Sequence, residues 1–193
     1  EEVPSDPAPQ QPQGEIRLHN LVIDLTGQET ERKEAEPYKA QNFHITDEHL
    51  GEGGAKTKYA FNIAAIQTLK QIEAEERQAT PQEQEILSGY VGWGGIPQAY
   101  DGNNAQWSEE YQQLKSLLTD EEYAAARGST LNAHYTSPMV IRAMYEALGN
   151  MGFQSGNILE PSCGVGNFFG MLPESMSQSR LYGVELDSIT GRM

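Results

Sequence analysis

The chain has 193 residues, enough for one or two domains. Its 13 basic and 28 acidic residues give a formal net charge of −15 at pH 7, the wrong sign for a protein that clamps DNA by itself. One cysteine excludes an internal disulfide, and the four scattered histidines provide no zinc-binding spacing. The sequence contains no apolar run of membrane-spanning length and no signal-peptide pattern, so we expect a soluble, cytoplasmic protein.

The first 40 residues have the composition of a flexible linker. Residues 1–14 contain four prolines and almost no apolar side chains, so apolar burial cannot offset the entropy cost of ordering them. Between Ile16 and Leu25 apolar and polar residues alternate, with a change of phase at His19-Asn20. This pattern is typical either of a short hairpin at 16–25 or of an unpaired structure, which would be a single marginal edge strand or an extended segment.

Residues 41–130 are predicted to form a helical region. Apolar residues at helical spacing predict one amphipathic helix from Lys56 to about Glu76. Thr80-Pro81-Gln82-Glu83 is a capping box with proline at the first helical position, which predicts a second helix to about Tyr90.

Two shorter helices are expected after the segment Val91-Gly92-Trp93-Gly94-Gly95, which must interrupt the second helix. Ser108 and Thr119 are the expected caps of these helices, which are predicted at 109–118 and 120–127, and Glu122 completes a second capping box with Thr119.

Two features of the helical region suggest a nucleic-acid contact, each with a simpler interpretation. Gly51–Thr57 is rich in glycine, but a phosphate-binding loop needs glycine directly before its lysine, and this chain has alanine there. A flexible lead into the helix is expected, with contact between a phosphate and Lys56 or Lys58 as the alternative. Trp93 and Trp107 have the ring faces needed to stack on bases, but packing in a core or an interface is expected.

A further helix is predicted to start at Ser137-Pro138 and to end before Gly149 and Gly152. Its expected apolar face consists of Val140, Ile141, Met144, Tyr145 and Leu148.

The chain then has the pattern of a strand, a glycine turn, a short helix and a second strand. The strands are predicted at Asn157–Glu160 and Arg180–Glu185, and the small-residue loop Ser162–Gly166 follows the first. An open parallel α/β sheet binds ligands at the carboxyl ends of its strands, where the glycine loop and Glu185 would both lie.

The glycine loop lacks the features of a dinucleotide-binding turn. A dinucleotide fingerprint needs glycine at the sixth place, which is Phe169 here. Glu160, directly before the turn, would repel a pyrophosphate, whereas it could bond to a ligand with an amino group. S-adenosylmethionine fits these residues, because it has a ribose, an α-amino group and a sulfonium cation but no phosphate. Glu185 is placed to accept hydrogen bonds from the ribose hydroxyls.

These residues resemble the class I S-adenosylmethionine-dependent methyltransferases, in particular those that methylate the exocyclic amine of adenine in DNA. Residues Glu160–Phe168 match the family's (D/E)-P-(A/S)-C-G-x-G-x-F motif, which cradles the methionine part of the cofactor, and Glu185 matches the acidic residue that holds the ribose. His134–Pro138 matches the (Y/F)-T-x-P motif, whose threonine borders the methionine carboxylate. The resemblance implies a cofactor site made of Tyr135, Thr136, Glu160, Pro161, Ser162, Cys163, Gly164, Gly166, Phe168, Glu185 and Leu186.

The resemblance also implies the fold class and the domains. We expect an α/β protein in which a mainly helical N-terminal region precedes the start of a Rossmann-like class I methyltransferase sheet, strand-loop-helix-strand, which is then truncated. The expected domains are a linker at 1–40, a helical region at 41–130 and the N-terminal part of the methyltransferase domain at 131–193. Residues 41–193 more loosely resemble the large methylase and helicase fusion proteins of bacterial conjugative elements.

The resemblance assigns no catalytic residue and no metal ligand to this chain. The family holds the target amine with an (N/D/S)-P-P-(Y/F) motif, which these 193 residues lack. We therefore expect a piece of a longer protein that is inactive alone. Cys163 is expected to line the loop rather than act as a nucleophile, and His134 to pack or line the site rather than act as an acid or base.

The expected partners follow from the same resemblance. They are DNA, contacted through parts of the longer protein outside this piece, the remainder of the methyltransferase domain and a helicase-like region of the same polypeptide, with no membrane. Unpaired edges of the two strands could pair between copies of the chain. The alternatives are a methyltransferase acting on RNA or protein, or a non-catalytic module that docks a protein or nucleic acid.

Overall fold

The computed structural model describes residues 15–18, 21–24 and 42–193. It is a mixed α/β structure, about half helical, with a small two-stranded parallel sheet. The first two strands belong to one compact unit and residues 42–193 belong to a second.

The first unit contains a pair of antiparallel strands. They are β1, Glu15–Leu18, and β2, Leu21–Asp24, paired with Ile16 opposite Ile23. Of the two structures that the alternating pattern allows, the chain therefore has the two-stranded one. The rest of the predicted linker lies outside the described residues.

The four helices predicted between residues 55 and 129 are all present. They are α1, Ala55–Ala74; α2, Pro81–Ser88; α3, Ser108–Leu117; and α4, Asp120–Ser129. Two 3-10 turns, Pro97–Tyr100 and Ala105–Trp107, connect α2 to α3.

Both predicted capping boxes are confirmed. At the start of α2, the Thr80 hydroxyl accepts from the Glu83 N–H at 3.3 Å, and the Glu83 carboxylate accepts from the Thr80 N–H at 2.9 Å. Thr119 and Glu122 make the same pair of bonds at the start of α4, at 3.2 and 3.0 Å. Each cap contributes about 1 kcal/mol to helix stability. Each of these two helix starts is encoded within four consecutive residues, because the bonded pair of each box is three positions apart.

The predicted cap at Ser108 is wrong. The turn Ala105–Trp107 runs directly into α3, so Ser108 is already helical and the cap lies before the turn. There the Asn104 side chain accepts from the Gln106 N–H at 3.1 Å. Ser137 does occupy the N-cap of α5, Pro138–Asn150, but its side chain makes no capping hydrogen bond.

The core of the second unit is built around α1 and is unusually aromatic. Trp93 is completely buried, and its ring meets those of Tyr59, Tyr90 and Tyr100 edge to face. Trp107 is also buried and packs against Tyr59. Core packing is therefore confirmed for both tryptophans, and neither exposes a ring face for stacking on a base.

The predicted strand-loop-helix-strand segment is present after α5. It consists of β3, Asn157–Glu160; a helical turn α6, Asn167–Gly170; a 3-10 turn, Glu174–Met176; and β4, Arg180–Gly183. The strands are parallel, with Leu159 opposite Tyr182. Within residues 42–193 no third strand pairs with β3 or β4. Both outer edges of this sheet are thus unpaired within that range.

Helix α5 buries only part of its predicted face. Ile141 and Tyr145 are buried against Met176, but Val140 and Met144 are 45% and 51% exposed, so the prediction was wrong for these two. The helix packs through the stripe that contains Ile141 and Tyr145. Within residues 42–193 no element covers the stripe that contains Val140 and Met144.

No helix in the described part of the chain combines the length and the apolar character needed to cross a membrane.

Candidate functional site

The glycine loop begins where β3 ends and is a tight backbone turn. Gly164 and Gly166 have φ values of 57° and 86°, in the left-handed region that favours glycine. The Gly166 N–H donates to the Cys163 carbonyl at 2.8 Å and closes the turn. Gly166 is also the residue directly before α6. The loop therefore changes chain direction by using conformations that other residues rarely adopt.

Backbone hydrogen bonds join this loop to the end of β4. The Val184 N–H donates to the Glu160 carbonyl, and the Cys163 N–H donates to the Val184 carbonyl, both at 3.0 Å. Parallel pairing thus continues past the last residue of β4, and the glycine loop lies beside the segment that carries Glu185.

The Glu185 carboxylate binds the glycine loop directly. One oxygen accepts from the Gly164 N–H at 2.8 Å, and the other accepts from the N–H groups of Leu186 and Asp187 at 2.8 and 2.9 Å. An ionised carboxylate can accept about four hydrogen bonds, so one acceptor position remains. Glu185 and Gly164, predicted as members of one site, are therefore in contact.

Glu160 is half-buried at the carboxyl end of β3. Burial raises the pKa of its carboxyl group above the ordinary value of 4.5, because a carboxylate loses hydration when it is buried. No group within residues 42–193 donates a hydrogen bond to its carboxylate. Its charge thus lacks a compensating partner in the part of the chain that the structure describes.

The site is acidic. Glu160 is the last residue of β3, and Glu185 and Asp187 follow β4. Residues 157–170 and 181–191 contain neither lysine nor arginine. Arg180 lies at the opposite, amino end of β4. The loop between the carboxylates therefore favours a ligand that carries positive charge.

Cys163 has a packing position in the loop. Burial and, to a lesser extent, the Glu185 carboxylate raise the pKa of its thiol, so the thiolate is disfavoured. A Cβ added to Gly183 would lie 3.0 Å from its sulfur. Cys163 therefore packs against β4 through the space that this glycine leaves open.

Tyr135 packs against the back of the glycine loop. A Cβ on Gly164 would lie 2.9 Å from its ring, which also meets the Tyr90 ring edge to face at 6.0 Å. Burial raises the pKa of the Tyr135 hydroxyl. Thr136 beside it is half-buried, and His134 is exposed.

Phe168 supports the loop through α5. Its carbonyl accepts from the Tyr145 hydroxyl at 2.7 Å, and the two rings meet edge to face at 6.3 Å. Burial and the nearby Glu160 carboxylate raise the pKa of Tyr145 to about 12.

The remaining predicted site residues lie on the surface of the loop. Pro161 and Ser162 are exposed, and Leu186 is 98% exposed, the highest fraction among the large apolar side chains from residue 42 onward. An almost fully exposed apolar side chain therefore stands next to the Glu185 carboxylate.

A separate cavity of about 310 Å³ lies between α5 and the segment from Met171 to Met176. His44, Arg142 and Glu146 line part of it, and no predicted cofactor-binding residue does. The described residues also contain no group of three or more histidine, cysteine, aspartate or glutamate side chains arranged to hold a metal ion.

Lys56, in the first turn of α1, is engaged within the chain. The Lys56 ammonium donates to the Gln106 carbonyl at 2.8 Å, pairs with Glu110 and lies 4.1 Å from the centre of the Trp107 ring. These contacts leave Lys56 poorly placed for a phosphate.

Two residues important for the site geometry were not predicted, Asn62 and Gly92. Asn62 is fully buried, donates to the Gly92 carbonyl at 2.7 Å and accepts from the Val91 N–H at 2.9 Å. The sequence signal that could have identified Asn62 is its position as a polar residue among the apolar residues of α1.

No known family matches this chain, and neither does any curated protein or solved structure.

Proposed function

We propose that this chain binds S-adenosylmethionine at the glycine loop, as the cofactor-binding part of a DNA adenine-specific methyltransferase with a Rossmann-like class I fold. The observation that carries the proposal is the pair of carboxylates, Glu160 and Glu185, beside a left-handed glycine turn at the carboxyl ends of two parallel strands. Parallel α/β sheets bind their ligands at this end.

Charge favours this cofactor over a dinucleotide. A pyrophosphate would enter a loop whose neighbouring side chains are Glu160, Glu185 and Asp187. S-adenosylmethionine instead brings a sulfonium and an ammonium group, either of which offers Glu160 the partner that it lacks within residues 42–193. Pairing lowers the electrostatic cost of a half-buried carboxylate.

We propose that S-adenosylmethionine lies across the carboxyl ends of β3 and β4. One ribose hydroxyl would donate to the remaining acceptor position of Glu185, and the adenine ring would cover Leu186. The methionine part lies along Glu160–Gly166, where two glycines permit close approach to the backbone.

The methyl-transfer step needs residues beyond this site. Methyl transfer is a displacement at the sulfonium carbon, so catalysis consists mainly of positioning the acceptor amine and stabilising its developing charge. The motif expected to hold an adenine amine is absent from these 193 residues. We therefore propose that the chain contributes the cofactor pocket and that another part of the methyltransferase domain contributes the catalytic motif and the DNA contacts.

The exposed face of the sheet supports such a partner. Leu159 and Tyr182 are opposite one another, 62% and 48% exposed, and Val184 continues the same face at 57%. Parallel sheets are usually covered on both faces, so further polypeptide of the same domain is the proposed cover.

Calorimetric titration with S-adenosylmethionine and S-adenosylhomocysteine tests the cofactor. We expect dissociation constants of about micromolar, and Leu186→Ala should weaken both by roughly tenfold through lost apolar contact. Stability should not change, because Leu186 is 98% exposed.

Leu131→Ala is the matched control, since Leu131 is 87% exposed and lies between α4 and α5. The proposal is wrong if neither compound binds at millimolar concentration, or if nicotinamide adenine dinucleotide binds as tightly as they do.

A further inference from the structure

The Tyr135 ring lies between two left-handed glycines from different parts of the chain. A Cβ on Gly92, at φ 67°, would be 2.6 Å from one ring carbon, and a Cβ on Gly164, at φ 57°, would be 2.9 Å from another. Any side chain at either glycine would push the ring. The ring thus fills the space between the Val91–Gly95 segment and the glycine loop.

The Val91–Gly95 segment is itself held by the helical region. The side-chain amide of Asn62 in α1 donates a hydrogen bond to the Gly92 carbonyl and accepts one from the Val91 N–H. Because Asn62 is completely buried, breaking either bond would leave an unsatisfied polar group in the core.

The same segment contacts the residues just before Tyr135. A Cβ on Gly94 would collide with the Ala133 carbonyl. Ala133, two residues before Tyr135, therefore packs closely against Gly94 of the Val91–Gly95 segment. Separating the two segments would lose this contact.

We infer that Tyr135 is a positioning residue, through which the helical region holds the glycine loop in the conformation that binds the cofactor. The contacts run from Asn62 to Gly92, from Gly92 to the Tyr135 ring, and from the ring to Gly164, whose N–H binds Glu185. This inference rests on the proposed function for the identity of the ligand, but the contacts exist without it. The helical region is then part of the binding site.

Hydrogen exchange of the ligand-free chain tests the inference directly. The Gly164 and Gly166 N–H groups are both hydrogen-bonded, so their exchange rates report the order of the loop. Tyr135→Ala and Gly92→Ala should speed both rates at least tenfold relative to Ile66→Ala, which opens the same core at a fully buried residue of α1.

Tyr135→Phe is the conservative variant, since it keeps the ring, and it should retain the slow exchange. If Tyr135→Ala fails to fold, Gly92→Ala carries the test, because it displaces the ring from the other side. The inference is overturned if the loop amides exchange no faster in the folded variants than in Ile66→Ala.

Cofactor affinity provides the second measurement. S-adenosylhomocysteine should bind about tenfold more weakly to Tyr135→Ala than to the unaltered chain. Failure of the unaltered chain to bind this compound counts against the proposed function alone, because the exchange rates still decide the role of Tyr135.

Discussion

At the scale of single residues, the two carboxylates beside the glycine loop differ in their hydrogen bonds. Glu185 accepts from three backbone N–H groups, including that of Gly164, so it fixes the loop before any ligand arrives. Glu160 is half-buried without a donor from residues 42–193, and burial raises its pKa. Glu160 is therefore the carboxylate whose ionisation a bound cation should change.

Binding of S-adenosylmethionine should strengthen with rising pH through the ionisation of Glu160. A cationic ligand stabilises the ionised form, so it lowers the pKa and releases a proton on binding. The affinity should rise with pH up to the raised pKa that Glu160 has in the ligand-free chain, by about tenfold for each pKa unit of coupling. Glu160→Gln should remove this dependence, as measured by titration calorimetry in buffers of different ionisation enthalpy.

The same substitution should stabilise the ligand-free chain at neutral pH. A raised carboxyl pKa means that ionised Glu160 opposes folding at pH values above that pKa. Glu174→Gln is the control, because Glu174 is exposed. An unchanged pH dependence in Glu160→Gln would contradict this assignment.

At the scale of elements, Glu122 joins three segments. Its carboxylate caps α4, accepts from Lys70 of α1 at 2.7 Å and accepts from Arg192 at 2.8 Å. Burial alone would raise its pKa, but these hydrogen bonds outweigh burial and lower the pKa to about 2. This network ties α1 and α4 to the residues that follow the candidate site.

Glu122→Gln should destabilise the chain by about 2 kcal/mol at neutral pH, as expected for lost hydrogen bonds to charged groups. Since the folded pKa is lowered, this stabilisation is present above the ordinary pKa of 4.5 and is lost as the pH falls towards about 2. Denaturant unfolding at neutral and acidic pH measures both values. Glu121→Gln, at an exposed residue of the same helical turn, should cost much less; equal losses for the two variants would refute the network.

Helix α5 shows how an element can be predicted while its packing is not. The pattern of apolar residues and the Pro138 start signal predict the helix. They do not distinguish the stripe of Ile141 and Tyr145, which is buried, from that of Val140 and Met144, which is exposed. That choice depends on which layers are available to pack against the helix.

At the scale of the whole molecule, the parallel sheet exposes both its edges and one apolar face within residues 42–193. Unpaired edges with apolar side chains promote pairing between chains. The chain should therefore self-associate as its concentration rises, and sedimentation velocity over a series of concentrations should detect this.

Leu159→Lys and Tyr182→Lys should suppress that association, since each adds a charge to the exposed face of the sheet. Leu131→Lys adds the same charge to an exposed residue elsewhere and should not suppress it. A monomeric chain at every concentration, or equal effects of all three substitutions, would rule out this surface.

The elements of this protein could be predicted because their signals are local. The capping boxes at Thr80 and Thr119 each involve four consecutive residues, and the helical spacing of apolar residues marks α1 without reference to the rest of the chain. The prediction of a cap at Ser108 was wrong because a 3-10 turn precedes α3, so the capping side chain is that of Asn104, before the turn.

The residues of the candidate site were predicted from sequence motifs and the family resemblance that those motifs carry, but their contacts were not. Glycine at 164 and 166 and acidic residues at 160 and 185 are properties of the sequence, as is the order of strand, loop, helix and strand. Only the tertiary structure decides that Glu185 binds the Gly164 N–H and that the Tyr135 ring lies between Gly92 and Gly164. These contacts join residues more than 20 positions apart, so they depend on how whole elements pack, whereas helix starts and strand alternation depend on neighbours along the chain.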